Sequence, residues 1–238
     1  APLHWAAVSG FTDGVKLLLD KGADPNAKTE IGSTPLHWAA NTNAADISKL
    51  LLDRGADINA RSGKGFTPLH WAISGNAPDL AKLLIARGAA VNAKANDGIT
   101  PLHWAIRRNS VPLVELLVNA GADLYAKADD GTTPLHWAVR ADDLETTGML
   151  LRAGAKVATA DRRGVTPLYL ACLTGNDAMV KALLAAGADA NSTDGQGETA
   201  LMTASKTGNP AVVKALLDKG AQVNARDAQS DQTPLIWA

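Results

Sequence analysis

"TPLHWAANTNAADISKLLLDRGADINARSGKGF" runs from Thr34 to Phe66, and the six letters that open it return at Thr67, Thr100 and Thr133. A worn copy, "APLHWA", opens the chain. "TPLYLA" and "TALMTA" follow at Thr166 and Thr199, and "TPLIWA" stands at Thr233. The step is 33 residues up to Thr199 and 34 for the last copy, which places one inserted residue in the turn over 228–232. A second word keeps the same beat: Gly22, Gly55, Gly88, Gly121, Gly154, Gly187 and Gly220 each begin "GA". A fixed period along the whole chain is the signature of an array in which one supersecondary unit stacks on the next.

Each unit has a physical reading. Thr34 is a good helix N-cap, and Pro35 follows at the first helical position, where its missing N–H costs nothing. The pattern predicts a short first helix over roughly Pro35–Thr42. It should stop at Asn43, whose equivalents are Gly10, Asn76, Asn109, Asp142, Gly175 and Gly208. Those are the residue types that tolerate the left-handed conformation of a helix C-terminus. "ISKLLLDRG" is apolar at helical spacing and predicts a second helix over about Ala45–Arg54, ended by Gly55. Gly65 stands two residues before the next Thr, and its copies at Gly32, Gly98, Gly131, Gly164 and Gly197 mark a tight turn.

Two helices and a projecting turn in 33 residues resemble the ankyrin repeat. The resemblance is carried by "TPLHWA", by the glycine-ended second helix and by "GADINA" or "GADPNA", and it covers essentially the whole chain. It implies an all-α solenoid of stacked helix–turn–helix units with projecting β-hairpin-like loops. Residues 1–238 are expected to form a single ankyrin-repeat domain with truncated terminal units. No unit can bury its apolar face alone, so neighbours must supply the core.

Composition narrows the function. The chain is 46% apolar and 20% charged, enough to bury a core. Its net charge of −1 gives no global steering toward nucleic acid. No apolar run approaches the roughly 18 residues of a membrane span, so no membrane insertion is expected. The lone Cys172 excludes an internal disulfide framework and leaves the compartment open. A cytoplasmic setting is favoured, with a secreted effector as the alternative. The chain begins and ends inside its own motif, as would a piece of something longer.

All five histidines and all six tryptophans lie inside the repeated word. Successive histidines are separated by one unit spacing, about 10 Å, whereas a metal needs its ligands within about 2 Å. No Cys, Asp or Glu recurs beside them at ligand spacing, so no metal or cofactor is expected. The resemblance implies that each histidine bonds the motif's threonine and the neighbouring loop's backbone. Leu36, Ala39 and Ala40 share the core side by helical spacing. Trp38 instead shares a stripe with Asn41 and Thr42, which the family pattern places on the concave surface. Trp5, Trp38, Trp71, Trp104 and Trp137 would then form a ladder, continued by Leu170 and interrupted at Thr203. Two readings stand, and both can hold at once: packing against the neighbouring helix and loop, or a partly exposed aromatic floor for a partner. Cys172 occupies the small-residue position of Ala40 and reads as buried packing.

With the framework subtracted, the varying positions carry the information. First-helix ends and loop tips gather Arg107, Arg108, Arg140, Arg162, Arg163 and Lys206, mostly toward the C-terminal half. Phe66, Ile99 and Val165 are expected to offer apolar contacts on the tips. Each cation alone reads as solvated charge. Their alignment on one face points to an acidic or carboxylate-bearing protein or peptide. The fifth unit departs most: Thr146, Thr147 and Gly148 interrupt its second helix, and Tyr125 and Ala158 replace the loop asparagine found at Asn26, Asn59, Asn92, Asn191 and Asn224.

The function expected is therefore a non-catalytic interaction scaffold. Its alternatives are an array that self-associates end to end and an interaction module of a larger protein. No nucleophile–base pair breaks the repeat, so no catalytic residue is assigned.

Overall fold

The computed structural model describes residues 1–227 and 232–237, so the inserted residue of the last repeat falls outside the described residues. The chain divides into two compact units, Ala1–Asp123 and Leu124–Ala238. In the first, each copy of the word folds as a short first helix: α1 (Pro2–Val8), α3 (Pro35–Asn41), α5 (Pro68–Ser74) and α7 (Pro101–Arg107). The nine-residue second helices α2 (Thr12–Asp20), α4 (Ala45–Asp53), α6 (Pro78–Ala86) and α8 (Val111–Asn119) alternate with them. The second unit repeats the scheme with first helices α9 (Pro134–Arg140), α11 (Pro167–Thr174), α13 (Ala200–Thr207) and α15 (Pro234–Trp237). Its second helices are α10 (Leu144–Arg152), α12 (Asp177–Ala185) and α14 (Pro210–Asp218).

Within each unit, like packs on like. The helix α3 lies against α1 and α5, and α11 lies against α9 and α13; the second helices form a parallel layer, α2 on α4 and α12 on α14. The motif leucine faces the core in both, with Leu36, Leu69 and Leu102 in one unit and Leu135, Leu168 and Leu201 in the other all at 3% exposure or less. Burying each side chain stabilises by roughly 1.5–3 kcal/mol, and it does so against the neighbouring repeat. Cys172 is also fully buried, and burial pushes its thiol up to about 12, as an inert packing residue requires.

The turns are where the residue types expected for left-handed backbone prove necessary. Asn43, Asn76, Asn109 and Asp142 have φ of +52 to +56°, at the ends of their first helices. Gly55 (φ +86°) closes α4: its amide reaches the Leu52 carbonyl and that of Ala56 reaches Leu51, satisfying the helix's last acceptors. Gly164 is doubly constrained, since it has φ +77° and a Cβ there would lie 2.5 Å from the Gly195 amide nitrogen of the next loop. Each loop folds back as a hairpin-like turn, as in the Ser62 amide to Phe66 carbonyl bond at 2.9 Å. Loops join through single backbone bonds, Gly63 to Ile31 at 2.8 Å in the first unit and Gly195 to Arg163 at 2.7 Å in the second. Among the described residues there is no extended strand, only an isolated bridge between Thr193 and Thr199.

The departures in the fourth and fifth repeats are compensated in part, with the buried Thr147 hydroxyl left without a partner among the described residues. Asp143 caps α10 by accepting the Thr146 amide at 2.9 Å, and Thr146 and Thr147 are buried in the helix's core face. The usual loop asparagine donates to the next repeat's cap glycine, as Asn26 does to the Gly55 carbonyl at 2.9 Å. Tyr125 replaces it with its hydroxyl, which donates to the equivalent Gly154 carbonyl at 3.0 Å.

Candidate functional site

The histidines are framework. The backbone amide of Thr34 donates to His37 Nδ1 at 3.1 Å, and the Thr34 hydroxyl lies 2.8 Å from the same nitrogen. A nitrogen that accepts an N–H carries no proton, so Nε2 holds it and donates to the Phe66 carbonyl of the next loop at 3.0 Å. The same arrangement ties His70 to Ile99 (3.4 Å) and His136 to Val165 (3.1 Å). Desolvation by burial pushes His37, His70 and His136 down, His70 to about 4, against the pull of those carbonyls. They are neutral donors at pH 7. Tyr169 and Met202 take the histidine's place in the next two words, where the Thr199 amide meets the Met202 sulfur at 3.4 Å. Among the described residues no three His, Cys, Asp or Glu side chains converge as metal ligands.

The tryptophans stand at the edge of the core. Trp38, Trp71 and Trp104 in the first unit and Trp137 in the second are half-buried, while Trp5 is 75% exposed. The indoles therefore pack and present surface together. Trp38 meets Trp71 edge-on (centroids 5.6 Å apart, 66°), and Phe66 meets Trp104 in the same way (5.7 Å, 75°). Between them is a hollow of about 420 Å³ walled by Ile31, Phe66, Trp71 and Trp104, with Lys64 on its loop side and Ser74 at a helix end.

What sequence reading missed is a contact between the last loop residue and the tryptophan five places on. The Trp38 indole N–H donates to the Ser33 hydroxyl at 2.9 Å, and that of Trp137 to the Thr132 hydroxyl at 2.8 Å. Glu198 and Thr203 form the same pair with other side chains, the Thr203 hydroxyl on the helix donating to the loop-foot carboxylate at 2.6 Å. Phe66 and Ile99 occupy the same position, five residues before Trp71 and Trp104. Residues expected on the loop tips thus stand at the loop's foot: Phe66 and Ile99 are half-buried, and Ser33, Thr132 and Val165 are buried. The signal was available as a recurrent spacing of five between a hydroxyl and an indole.

The predicted cations are all exposed, and they divide between the units. Arg107 ends α7 with its guanidinium 5.0 Å above the Trp104 ring, and Arg108 caps the same helix. Arg140, Arg162, Arg163 and Lys206 belong to the second unit. There Arg163 Nε is 3.8 Å from the Asp161 carboxylate. Burial raises the Asp130 carboxyl, but hydrogen bonds from the Thr132 hydroxyl and amide, with the Arg140 charge, hold it below its ordinary value. Arg162, Arg163, Leu170, Leu173 and Gln196 border a second hollow of about 540 Å³.

The family model for ankyrin repeats matches residues 3–95, 75–161, 126–194 and 149–227. This chain belongs to the ankyrin-repeat family. Ankyrin repeats are protein–protein interaction modules, and their fold serves as a non-catalytic one. Among solved structures, the ankyrin-repeat domain of Bcl-3, a member of the IkappaB protein family, is 30% identical to this ankyrin chain. The match covers 91% of this chain and 98% of that one with a TM-score of 0.82. No curated protein matches by sequence. Among the described residues no helix is long and apolar enough to cross a membrane.

Proposed function

We propose that this chain is a non-catalytic scaffold that binds a protein or peptide segment on the surface where first-helix ends meet the loops. The observation that carries the reading is the hollow among Ile31, Phe66, Trp71 and Trp104 with Lys64 and Arg107 beside it. Half-buried aromatic rings beside cations that lack an ion pair are the composition of an interaction hot spot. An acidic partner is favoured, since Arg107, Arg108 and Lys64 make no salt bridge among the described residues. The same reading takes residues 1–238 as one repeat domain, because the 33-residue register runs unbroken from Thr100 to Thr133 and on to Thr199.

Selection from a displayed peptide library, followed by binding to variants, tests this. Arg107→Glu with Arg108→Glu should weaken the selected peptides and make the residual binding less salt-sensitive, with the fold intact. Lys82→Glu and Glu115→Lys, on exposed faces of second helices, should leave binding unchanged. Loss of binding in the second-helix variants with a silent arginine pair would refute the scaffold surface as drawn.

A further inference from the structure

We infer that the hollow between Phe66, Trp71 and Trp104 receives one bulky apolar side chain of a peptide, with an acidic residue beside it. This rests on the interaction-scaffold reading and specifies what the first unit selects.

The argument starts from the pair of loop-foot residue and indole. Where the foot is a hydroxyl, as at Ser33 and Thr132, the indole N–H is satisfied by the residue five places before it. Phe66 and Ile99 remove that acceptor in two successive repeats. Among the described residues, Trp71 then has no acceptor for its N–H, and that of Trp104 is enclosed without one. The substitution that releases the Trp71 donor also supplies an apolar wall, since Phe66 is held edge-on between His70 (5.5 Å) and Trp104 (5.7 Å). Rings braced in this way are fixed before a ligand arrives, so little ordering cost remains. A volume of about 420 Å³ suits one large side chain with its adjoining backbone. The backbone carbonyl of such a segment is an acceptor for Trp71. Two cations mark the rim: Lys64 lines the hollow and Arg107 lies over Trp104, and neither forms an ion pair among the described residues. A carboxylate next to the inserted residue would meet them, whereas a lysine there would be repelled.

The test is the indole region of a ¹H–¹⁵N spectrum of the full chain, titrated with blocked tetrapeptides. The probes are acetyl-Gly-Phe-Glu-Gly-amide, its Phe-Lys analogue and its Ala-Glu analogue. The Phe-Glu probe should move the Trp71 and Trp104 indole signals together and leave Trp38 and Trp137, which are already bonded, in place. Both analogues should bind at least about five-fold more weakly, the ratio that 1 kcal/mol of selectivity gives. Lys64→Glu, at an exposed position, should reverse the preference between Glu and Lys probes. Phe66→Ser, which copies the residue at Ser33, should abolish the response, with the thermal melt recorded beside it. Unmoved Trp71 and Trp104 signals, equal binding of the Glu and Lys probes, or an unaltered preference in Lys64→Glu would each overturn the inference. A library-selected peptide that shifts the Asn41 and Ser74 amides without touching these indoles overturns the pocket and leaves the scaffold reading standing. Selected peptides that move no signal on this face sink both.

Discussion

At the same register the two units present different chemistry. The first sets Phe66 and Ile99 before Trp71 and Trp104; the second sets Val165 and Glu198 before Leu170 and Thr203. Leu170 and Thr203 are buried, so the indole ladder does not continue there, and the hollow beside them is bordered by Tyr169, Arg162, Arg163 and Gln196. Yet the scaffolding is shared: Thr34–His37 and Thr133–His136 make the same bonds, and Ile31–Gly63 and Arg163–Gly195 join loops in the same way. Two positions per repeat, the loop foot and the residue five later, change surface character without disturbing the grid. A repeat array can therefore vary what it reads at constant fold.

The shared grid can be broken most severely at the loop glycines. A Cβ at Gly32 would lie 2.7 Å from the Gly63 nitrogen, and one at Gly164 would lie 2.5 Å from the Gly195 nitrogen, both at positive φ. Gly32→Val and Gly164→Val should each cost about 3 kcal/mol or more, because backbone strain and overlap with a neighbouring backbone add. Gly121→Val is the control: its φ is +82° but a Cβ there meets nothing within 4 Å. It should cost less, about 1–2 kcal/mol, which is the cost of positive φ alone. Urea melts of the three variants decide it. Equal losses in all three would mean that loop stacking contributes nothing, and a loss at only one of Gly32 and Gly164 would mean that the units do not share a grid.

Acid should loosen the grid next. His70 is 2% exposed with its pKa lowered to about 4, against about 6.5 unfolded. Between those values the unfolded chain binds the proton and the folded chain does not, so stability falls as pH drops through this window. Little is lost at pH 7, where both states are mostly neutral. The loss from His70 is about 2 kcal/mol at pH 5 and levels off near 3 kcal/mol below pH 4. His37 and His136 shift in the same direction. Their ring proton signals, followed by NMR against pH, check this; a His70 midpoint near 6.5 would remove the basis for the prediction.

The parts of the molecule legible in the sequence are those where backbone conformation restricts residue type. Asn43, Asp142 and Gly175 announce positive φ, and Thr34–Pro35 announces a helix start, because few residues fit those places. Leu36 and Ala39 were assignable to the core by spacing alone. The loop-foot contacts left only a spacing of five as their mark, and a step of five crosses from loop to helix and matches neither the helical nor the strand period. Ser33 and Thr132 therefore read as tip residues although their side chains turn inward. Tyr125 likewise read as the loss of an asparagine, because nothing in a residue name says that a longer side chain reaches the same Gly154 carbonyl.

The smallest effect tests the contrast directly, by exchanging the loop-foot residue between repeats. Asp97 accepts the Ile99 amide at 3.2 Å, as Asp130 accepts the Thr132 amide at 2.9 Å. In the second unit the Thr132 hydroxyl also donates to Asp130 at 2.6 Å while accepting from Trp137. Ile99→Thr rebuilds that chain of bonds in the first unit and supplies the enclosed Trp104 N–H with an acceptor. Satisfying a buried donor is worth about 1–3 kcal/mol. Part of that is offset by the two carbons lost when a hydroxyl replaces the ethyl arm of a half-buried isoleucine, about 1.6 kcal/mol at most. The net expectation is a gain of about 1 kcal/mol. Thr132→Val should run the other way by about as much, leaving the Trp137 indole without its hydroxyl acceptor. Denaturant midpoints of the two single variants measure both changes. If Ile99→Thr destabilises the protein while Thr132→Val is silent, the loop foot does not govern the indole, and the difference between the two units must lie elsewhere.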